Sequence, residues 1–354
     1  MASEPDIDVF EKGITTYDNI PGMASTIAVI GAFDSDITSV TNVPTARDAH
    51  DLFGTTSTVG TFKGTDDIDF LFKGASNLLI VNTTTWSTAN PPVASTTLTN
   101  EKLTEALSKL KGEYFDILFI AEELTDSAQT IVSAWLDEEF ENKNSHGQIS
   151  QLSKSTAGAY TTSVATYNKN IYYINTQILT INGVELDLNR STAYICGLIA
   201  SMNVSSSLTN KIIEDVTAVS PEYTTESGDL GHTLLNLNIP FIKCKNRRKN
   251  EYICLNSQLP NGYDLYINRV RDYVLKMIYI ETFLGEQSTE VTVGGIDNII
   301  ESVRQTYVEE LNLLKDIIYS VEKKSSECVE VYIDSLKFNG IVTKINIYYS
   351  IEVE

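Results

Sequence analysis

The sequence predicts an α/β protein in which a mixed, mostly parallel sheet is covered by helices, followed by a smaller α+β domain. Three observations lead to this fold class. Short, continuously apolar segments such as Thr26–Ile30 are typical of strands that are buried on both faces. Strand-like and helix-like segments alternate over more than 100 residues, which favours parallel strands joined by crossover helices. At the end of the chain, Ile341–Glu354 instead shows the period-two pattern of a half-buried strand.

The N-terminal part of the chain supplies the alternating strands and helices. Residues 1–23 have little periodicity and are predicted to form an arm that precedes the first strand. Apolar runs predict strands at Thr26–Ile30, Asn77–Asn82, Phe115–Ala121 and Asn170–Ile174. Helical spacing of apolar residues predicts helices at Thr45–Phe53, Asp66–Lys73, Thr99–Leu110 and Asp126–Glu141. The first three helices end at glycines, which commonly follow the last helical turn: Gly54, Gly74 and Gly112.

Turn-forming residues mark the connections between these elements. Residues 83–97 are rich in Thr, Ser, Asn and Pro and predict a surface loop. Asn182-Gly183 lies between two strand-like segments and is the strongest hairpin signal in the chain. Asn189 is predicted to cap a helix at Arg190–Met202, whose inward stripe of small side chains favours close packing.

The C-terminal part is predicted to form a separate domain that begins near Gly231. Its predicted strands are Leu234–Lys243, Tyr252–Leu255 and Glu327–Asp334. Its predicted helices are Gly262–Phe283 and Asp297–Ser320. The predicted organisation is therefore an N-terminal arm (1–23), an α/β domain (24–230), an α+β assembly domain (231–340) and a C-terminal arm (341–354).

The last segment of the chain carries an apolar face up to its penultimate residue. A chain end normally frays, so a segment with this pattern is expected to pair with a sheet. It either closes a sheet in its own domain or adds a strand to the sheet of a neighbouring subunit. The residues on this face are Ile341, Thr343, Ile345, Ile347, Tyr349, Ile351 and Val353.

The charge balance excludes some classes of partner. The chain has 26 basic and 47 acidic residues, a formal charge of −21, which repels nucleic-acid phosphates and anionic membrane surfaces. One cluster opposes this sign, with five basic residues within seven positions. It is either a solvated hairpin turn or a site that docks on an acidic surface of another subunit. The cluster comprises Lys243, Lys245, Arg247, Arg248 and Lys249.

Neither a catalytic nor a metal-binding motif is visible. The three histidines, His50, His146 and His232, lack the spacing of metal ligands, and no GxSxG, GxGxxG or phosphate-loop motif occurs. The four cysteines are not arranged as CxxC pairs and are expected to be free thiols. We therefore expect no cofactor and no enzymatic activity. The acidic N-terminus and the absence of a bilayer-length apolar run predict synthesis in the cytoplasm, without membrane insertion.

Three segments resemble contractile tail sheath proteins. The run RSTAYICGLIA at 190–200, followed by SSLTNK at 206–211, is similar to a sheath segment in which a small-residue helix leads into a Ser/Thr-rich stretch. PGMASTIAVIG at 21–31 resembles the N-terminal block of sheath proteins. Two long helices and a final strand with KINI at 344–347 resemble their C-terminal domain. The compact length is similar to that of sheaths of R-type bacteriocins, diffocin-like ones in particular, and of simple phage tails.

This resemblance implies a structural function. Sheath subunits form stacked hexameric rings around an inner tube, exchange strands through their terminal arms, and contract to drive the tube through a cell envelope. The implied partners are further copies of the chain, the tube protein, and baseplate and collar or terminator proteins. The implied particle assembles in bacterial cytoplasm and is released as a phage tail or bacteriocin. The larger domain would have a subtilisin-like topology without a catalytic triad. Strand exchange would involve Val9 and Ile14 in addition to the C-terminal face.

The resemblance also implies hinges between the arms and the body, for which residues 13–23 and 335–340 are the candidates. Two rival functions remain open at this point. The first is a hydrolase built on the α/β sheet. The second is a static structural protein of the capsid or pilus type, which assembles but has no shortened state.

Overall fold

The computed structural model describes residues 26–55, 58–142, 144–167, 171–202, 206–260, 262–284, 293–311, 313–323, 329–338 and 350–352. The chain divides into two compact units. The larger unit contains the described residues up to 142 and those from 146 to 268, and the smaller unit contains residues 144–145 and the described residues from 269 onward. Residues 231–268, which the sequence analysis assigned to the second domain, thus pack within the larger unit, where Ile242, Tyr252 and Cys254 belong to the core.

The larger unit alternates strands with helices, as the apolar runs predict. Its strands are β1 Thr26–Gly31, β2 Thr41–Val43, β3 Asn77–Asn82, β4 Thr85–Trp86, β5 Ala94–Ser95, β6 Ile117–Ile120, β7 Gly147–Gln151, β8 Ile171–Asn175, β9 Ile178–Ile181, β10 Val184–Glu185, β11 Val216–Ser220, β12 Ile242–Asn246 and β13 Glu251–Cys254. Its helices are α1 Ala46–Phe53, α2 Lys63–Leu71, α3 Asn100–Lys109, α4 Asp126–Glu141, α5 Ala157–Val164, α6 Leu188–Ser201 and α7 Leu230–Asn236.

A six-stranded sheet in the order β2-β3-β1-β6-β7-β8 forms the centre of this unit. Only β2, at one edge, runs antiparallel to its neighbour, so the predicted mostly parallel sheet is confirmed. Successive side chains of β1 point to opposite faces: Ile27 and Val29 pack with α1, α2 and α6, whereas Ala28 and Ile30 pack with α3, α4, α5 and α7. Because both faces are covered, the central strands β1, β3 and β6 carry continuous apolar runs.

Close backbone contact joins α6 to the end of α2. A Cβ atom placed on Gly197 would lie 2.1 Å from the carbonyl oxygen of Phe70, and one on Gly74 would lie 2.1 Å from the carbonyl oxygen of Gly197. Side chains at these positions would therefore force the two helices apart. Ala193 and Ala200, on the same helix, are also buried. The small-residue stripe predicted from the sequence lies at this contact.

The boundary of α2 and the cap of α6 differ from those predicted. The helix α2 begins at Lys63 rather than Asp66, because the N–H of Asp66 already donates to the carbonyl of Phe62 at 3.0 Å. The helix α6 is capped by Asp187, whose Oδ1 accepts from the N–H of Arg190 at 2.8 Å. Asn189, which was predicted to be the cap, is instead buried within the first turn.

The predicted strand Leu234–Lys243 was also wrong over most of its length. Its first residues belong to α7, and the strand β12 begins only at Ile242. Between them Asn238 adopts a left-handed conformation with φ of 55°, which ends the helix and turns the chain. The Asn182-Gly183 hairpin is confirmed, since both residues have positive φ values, 49° and 82°, as a type I′ turn requires.

The smaller unit contains helices and an antiparallel sheet. Helix α8, Leu265–Leu284, starts in the larger unit and continues into the smaller one. It is followed by α9, Val293–Arg304, and a π-helix, Gln305–Glu310. The strands are β14 Leu314–Lys323, β15 Val329–Phe338 and β16 Ser350–Glu352, in the order β14-β15-β16.

Two predictions for the smaller unit were wrong. The predicted helix Asp297–Ser320 ends near Glu310, and its last part is β14, which pairs antiparallel with β15. Residues 335–338, predicted to be part of a hinge loop, lie inside β15, where their pairing with β14 leaves no loop to bend. The remaining hinge candidates, residues 13–23 and 339–340, lie outside the described residues.

Candidate assembly surfaces

The strand β15 pairs along one edge with the short strand β16. Its residues Glu330–Tyr332 pair antiparallel with β16 of the same chain, with Val331 opposite Ile351. Along the remaining part of that edge, from Ile333 to Phe338, no described strand is paired with β15. Ile333, Leu336 and Phe338 are buried, so this part of the strand already belongs to a formed core. The edge of a formed sheet can accept a further strand.

Of the predicted exchange residues, only Ile351 falls within a described strand, where it pairs with β15 of its own chain. The other eight lie outside the described residues: Val9, Ile14, Ile341, Thr343, Ile345, Ile347, Tyr349 and Val353.

The basic cluster lies on a β-hairpin formed by β12, β13 and their turn, here named the basic hairpin (Ile242–Cys254). Its turn is ordered by Asn246, whose Oδ1 accepts from the N–H of Arg248 at 3.1 Å and whose carbonyl accepts from the N–H of Lys249 at 3.2 Å. The inner side of the hairpin joins the core of the larger unit through Ile242 and Tyr252. The basic residues of the turn are therefore carried by a hairpin whose strands are fixed to the core.

The five basic side chains differ in their surroundings. Lys243 is half-buried and its Nζ donates to Thr225 Oγ1 at 3.4 Å, while the Nη2 of Arg247 lies 2.5 Å from Glu222 Oε2. Lys245, Arg248 and Lys249 are exposed and make no ion pair with any residue in the described part of the chain. Three of the five cations thus remain available to a partner.

The SSLTNK segment is bound to the start of α8 through a cluster of hydroxyl groups. Asp264 Oδ2 accepts from Ser207 Oγ at 2.7 Å and from Ser257 Oγ at 2.6 Å, and Thr209 Oγ1 lies 2.6 Å from Ser257 Oγ. Asp264 Oδ1 accepts from the N–H of Tyr266 at 3.2 Å and so caps the helix. This cluster holds the SSLTNK segment against the start of α8. Sequence reasoning missed it because its members lie up to 57 residues apart.

A cleft lies at the carboxyl ends of β1, β3 and β6, where doubly wound sheets commonly bind ligands. It has a volume of about 110 Å³. Lys63 Nζ lies 3.1 Å from Glu122 Oε1 across it, so the two charges compensate each other. The residues that line the cleft include neither histidine nor cysteine: they are Gly31, Ala32, Gly60, Thr61, Lys63, Thr83, Thr96, Thr97, Leu98, Ala121 and Glu122.

The histidines and cysteines occupy separate environments. His50 contacts Asp69, the buried His146 stacks on Phe115 with ring centroids 3.7 Å apart, and His232 contacts Asn236. Within the described ranges, no group of three or more His, Cys, Asp or Glu side chains is arranged to hold a metal ion. Cys196, Cys244 and Cys254 are free thiols, whereas Cys328 lies outside the described residues. None of the helices in those ranges combines the length and apolarity of a membrane-spanning segment.

Comparison with known proteins gives a consistent family signal. Residues 96–242 match the family described as phage tail sheath protein central domain. Two crystal structures share the fold over almost the whole chain. A sheath tail protein from Listeria innocua has a TM-score of 0.70 at 12% identity, covering 98% of this chain and 99% of that one. A sheath tail protein from Desulfitobacterium hafniense has a TM-score of 0.69 at 12% identity, covering 94% and 97%.

A third structure comes from an assembled particle. The helical sheath of the anti-feeding prophage in its contracted state matches with a TM-score of 0.59 at 11% identity, covering 93% of this chain and 95% of that one. No curated protein sequence matches the chain.

Proposed function

From the premise that this chain carries the central domain of phage tail sheath proteins, as its sequence motifs predicted, we propose that it is the subunit of a contractile sheath. The proposed subunits form stacked hexameric rings around an inner tube and contract to drive that tube through a target cell envelope. The observation that supports this proposal most is the match, over 93% of the chain, to a subunit fold found in a contracted helical sheath.

The proposed link between subunits is exchange of the C-terminal strand. In one chain, Ile351 of β16 pairs with Val331 of β15. If the same segment pairs with β15 of a neighbour, it forms the same backbone hydrogen bonds as it does within its own chain. The exchange therefore links two copies at little enthalpic cost. Ile333 to Phe338 of the same strand β15 are further residues with which the incoming arm would pair.

The energetics favour exchange inside a growing stack. The seven residues on the apolar face of the arm contribute roughly 10 kcal/mol when buried, at about 1.5–2 kcal/mol each. Ordering the segment costs a similar amount, at roughly 1 kcal/mol or more per residue. The balance is near zero for a free subunit and becomes favourable where a neighbour's sheet edge is already formed. At low concentration, free subunits would therefore stay apart until a baseplate and a tube nucleate the first ring, whereas above a critical concentration the copies would nucleate one another.

The basic hairpin is the second proposed contact. Copies that each carry a formal charge of −21 repel one another, and Lys245, Arg248 and Lys249 offer a counter-charge to an acidic surface of the next copy. The further proposed partners are the tube protein, baseplate proteins and collar or terminator proteins. Assembly would take place in bacterial cytoplasm, and release would occur with a phage tail or bacteriocin particle.

We propose that contraction uses energy stored in the extended lattice during assembly and needs no nucleotide. Adding and withholding ATP with purified extended particles tests this: contraction at equal rates is expected, and a requirement for ATP would refute it. A static structural protein would form tubes of one length only. Two sheath lengths, extended and contracted, are therefore the result that separates the sheath from that alternative.

Deleting residues 341–354 tests the exchange itself. The truncated chain is expected to fold and to remain as single subunits, because the link between rings is lost. Ile347→Lys, on the apolar face, is expected to reduce polymer formation, whereas Asn346→Lys on the opposite face adds the same charge and should leave it intact. Normal-length sheaths from the truncated chain would falsify strand donation.

A further inference from the structure

The loop between β3 and α3 presents an exposed aromatic side chain on a defined hairpin. The strands β4 and β5 pair antiparallel, with Thr85 opposite Ser95 and Trp86 opposite Ala94. We name residues 85–95 the aromatic hairpin. The sequence predicted only a polar surface loop here, and it gave no sign that two short strands would hold a tryptophan at the surface.

The indole of Trp86 is both fixed and accessible. Its Nε1–H donates to the carbonyl of Ser35 at 3.0 Å, and its ring lies 6.1 Å from that of Phe62 between centroids. The residue is nevertheless 39% exposed, and Val93, which is hydrogen-bonded to Ser87 beyond the end of the two strands, is 64% exposed. Trp86 is the only aromatic residue among the large hydrophobic residues exposed in the described ranges. A fixed, exposed tryptophan is typical of an interface, because little entropy is lost when a partner covers it.

The segment that accepts the indole hydrogen bond also carries two carboxylates. Asp34 and Asp36 flank Ser35, the residue that receives the indole hydrogen bond. Both are exposed, and neither forms an ion pair with a described residue. An exposed aromatic ring that is bound to a segment with two exposed carboxylates is suited to attract a guanidinium group, which stacks on the ring and is drawn by the negative charge.

The same chain carries the complementary group. On the basic hairpin, the exposed guanidinium of Arg248 and the ammonium groups of Lys245 and Lys249 have no described partner. No described hydrogen bond or ion pair connects the basic hairpin to the aromatic hairpin within one copy. Both hairpins lie in the larger unit and, apart from Ile242, outside the matched residues 96–242.

We propose that the basic hairpin of one copy docks on the aromatic hairpin of another copy, with the Arg248 guanidinium stacked on the Trp86 indole. The lysines on either side face the carboxylates of Asp34 and Asp36. The two surfaces are different, so each copy uses one to bind the copy before it and the other to bind the copy after it. A head-to-tail contact of this kind closes into a ring or continues into a helix. The inference rests on the proposed sheath function and names a contact within it.

Charge reversal in two separate chains tests the contact. Arg248→Glu alone places like charges in every contact, and so does Asp36→Arg alone. Each variant is expected to raise the critical concentration for polymer formation, measured by sedimentation of the full chain, by about tenfold or more, since like charges facing each other at an interface are strongly unfavourable. In an equimolar mixture, the reversed basic hairpin of an Arg248→Glu copy can bind the reversed aromatic hairpin of an Asp36→Arg copy, and the two unmodified hairpins can bind each other. The mixture is therefore expected to return to within about twofold of the unmodified chain, as an alternating copolymer.

Matched controls separate this contact from general effects of charge. Lys211→Glu removes an exposed lysine with no described ion pair and changes the net charge as Arg248→Glu does, yet it should leave polymer formation intact. Trp86→Ala should impair it, whereas Val184→Ala, at a residue 60% exposed on β10, should not. Thermal unfolding of each variant verifies that the fold is kept.

The outcomes distinguish this inference from the function on which it rests. If the unmodified chain forms no polymer, the sheath function and the inference both fail. If it polymerises and Arg248→Glu behaves like Lys211→Glu, or if the mixture does not recover, the inference alone is overturned.

Discussion

Replacing Gly197 with alanine should destabilise the larger unit by forcing α6 away from α2. The new Cβ would lie 2.1 Å from the carbonyl oxygen of Phe70 and 3.0 Å from that of Leu71. Both obstacles are backbone atoms, which cannot rotate aside as a flexible side chain can. The gap to Phe70 must widen from 2.1 Å to at least 3.0 Å, so the whole helix must shift. Overpacking of this kind costs about 1–3 kcal/mol, and occasionally more.

One opposing effect has to be subtracted. Alanine favours helix over glycine by about 1 kcal/mol, so the net loss of unfolding free energy is expected to be up to about 2 kcal/mol. Gly158 in α5 provides the matched control, because it is exposed and a Cβ there meets nothing within 4 Å. Gly158→Ala should therefore raise the unfolding free energy by up to about 1 kcal/mol.

Urea denaturation measures the change in unfolding free energy of both variants, at a protein concentration below that at which copies assemble. Unchanged m-values would show that the same structure unfolds in each case. Opposite signs for the two glycine substitutions are the expected result. If Gly197→Ala were as stable as Gly158→Ala, the close approach of α6 and α2 would not exist as described.

Three further substitutions test the polar interior. Burial raises the pKa of Asp67 well above its ordinary value, so the folded chain keeps this carboxyl group protonated more readily than the unfolded chain does, and the fold loses stability as pH rises. Asp67→Asn should therefore raise the unfolding free energy near pH 8 by about 1–3 kcal/mol and flatten its pH dependence. A loss of stability in this variant would contradict the expectation. Partial burial of His50 opposes its protonation, but the hydrogen bond and the negative charge of Asp69 outweigh this effect and raise the pKa of His50. The pair therefore stabilises the fold below about pH 6.5, and this stabilisation is lost as pH rises through the raised pKa. His50→Gln should remove that pH dependence, at a cost below about 1 kcal/mol because the pair is partly exposed, and an unchanged unfolding curve between pH 5.5 and pH 8 would refute the contact. Asp264→Ala should lower the unfolding free energy by about 2 kcal/mol or more, because several hydroxyl groups lose their acceptor, and an effect under about 0.5 kcal/mol would show that water replaces the carboxylate.

The central sheet was predictable because its signal is local. Apolar runs such as Thr26–Ile30 are long enough to define a buried strand, and glycines such as Gly54 mark the ends of the helices between them. The positive φ values of Asn182 and Gly183 follow from residue type, so the hairpin was predictable too. In each case a few neighbouring residues determine the structure.

The strand β14 was mistaken for helix for a physical reason. The register of β14 against β15 shifts between Leu314 and Asp316, which places Leu314 and Ile317, three positions apart, on the buried side. A spacing of three is the helical signal, so a bulged strand imitates a helix. Only the pairing with β15, which the sequence of β14 itself does not show, distinguishes the strand from a helix.

The candidate contact surfaces could be predicted only in part. The basic cluster was visible because its five cations are contiguous in an acidic chain. Trp86 was not, because its exposure depends on the hydrogen bond to Ser35, a residue 51 positions away. The pairing of Asn189 with the buried Asp67, at 2.6 Å, joins residues 122 positions apart and likewise has no local signal.

Electron cryomicroscopy of the polymer formed by the full chain tests the central claim most directly. We expect tubular stacks of six-fold rings in which the C-terminal segment of one copy forms a strand on β15 of a neighbouring copy. A preparation that stays as separate subunits, or a polymer in which every copy keeps this segment on its own β15, would contradict it.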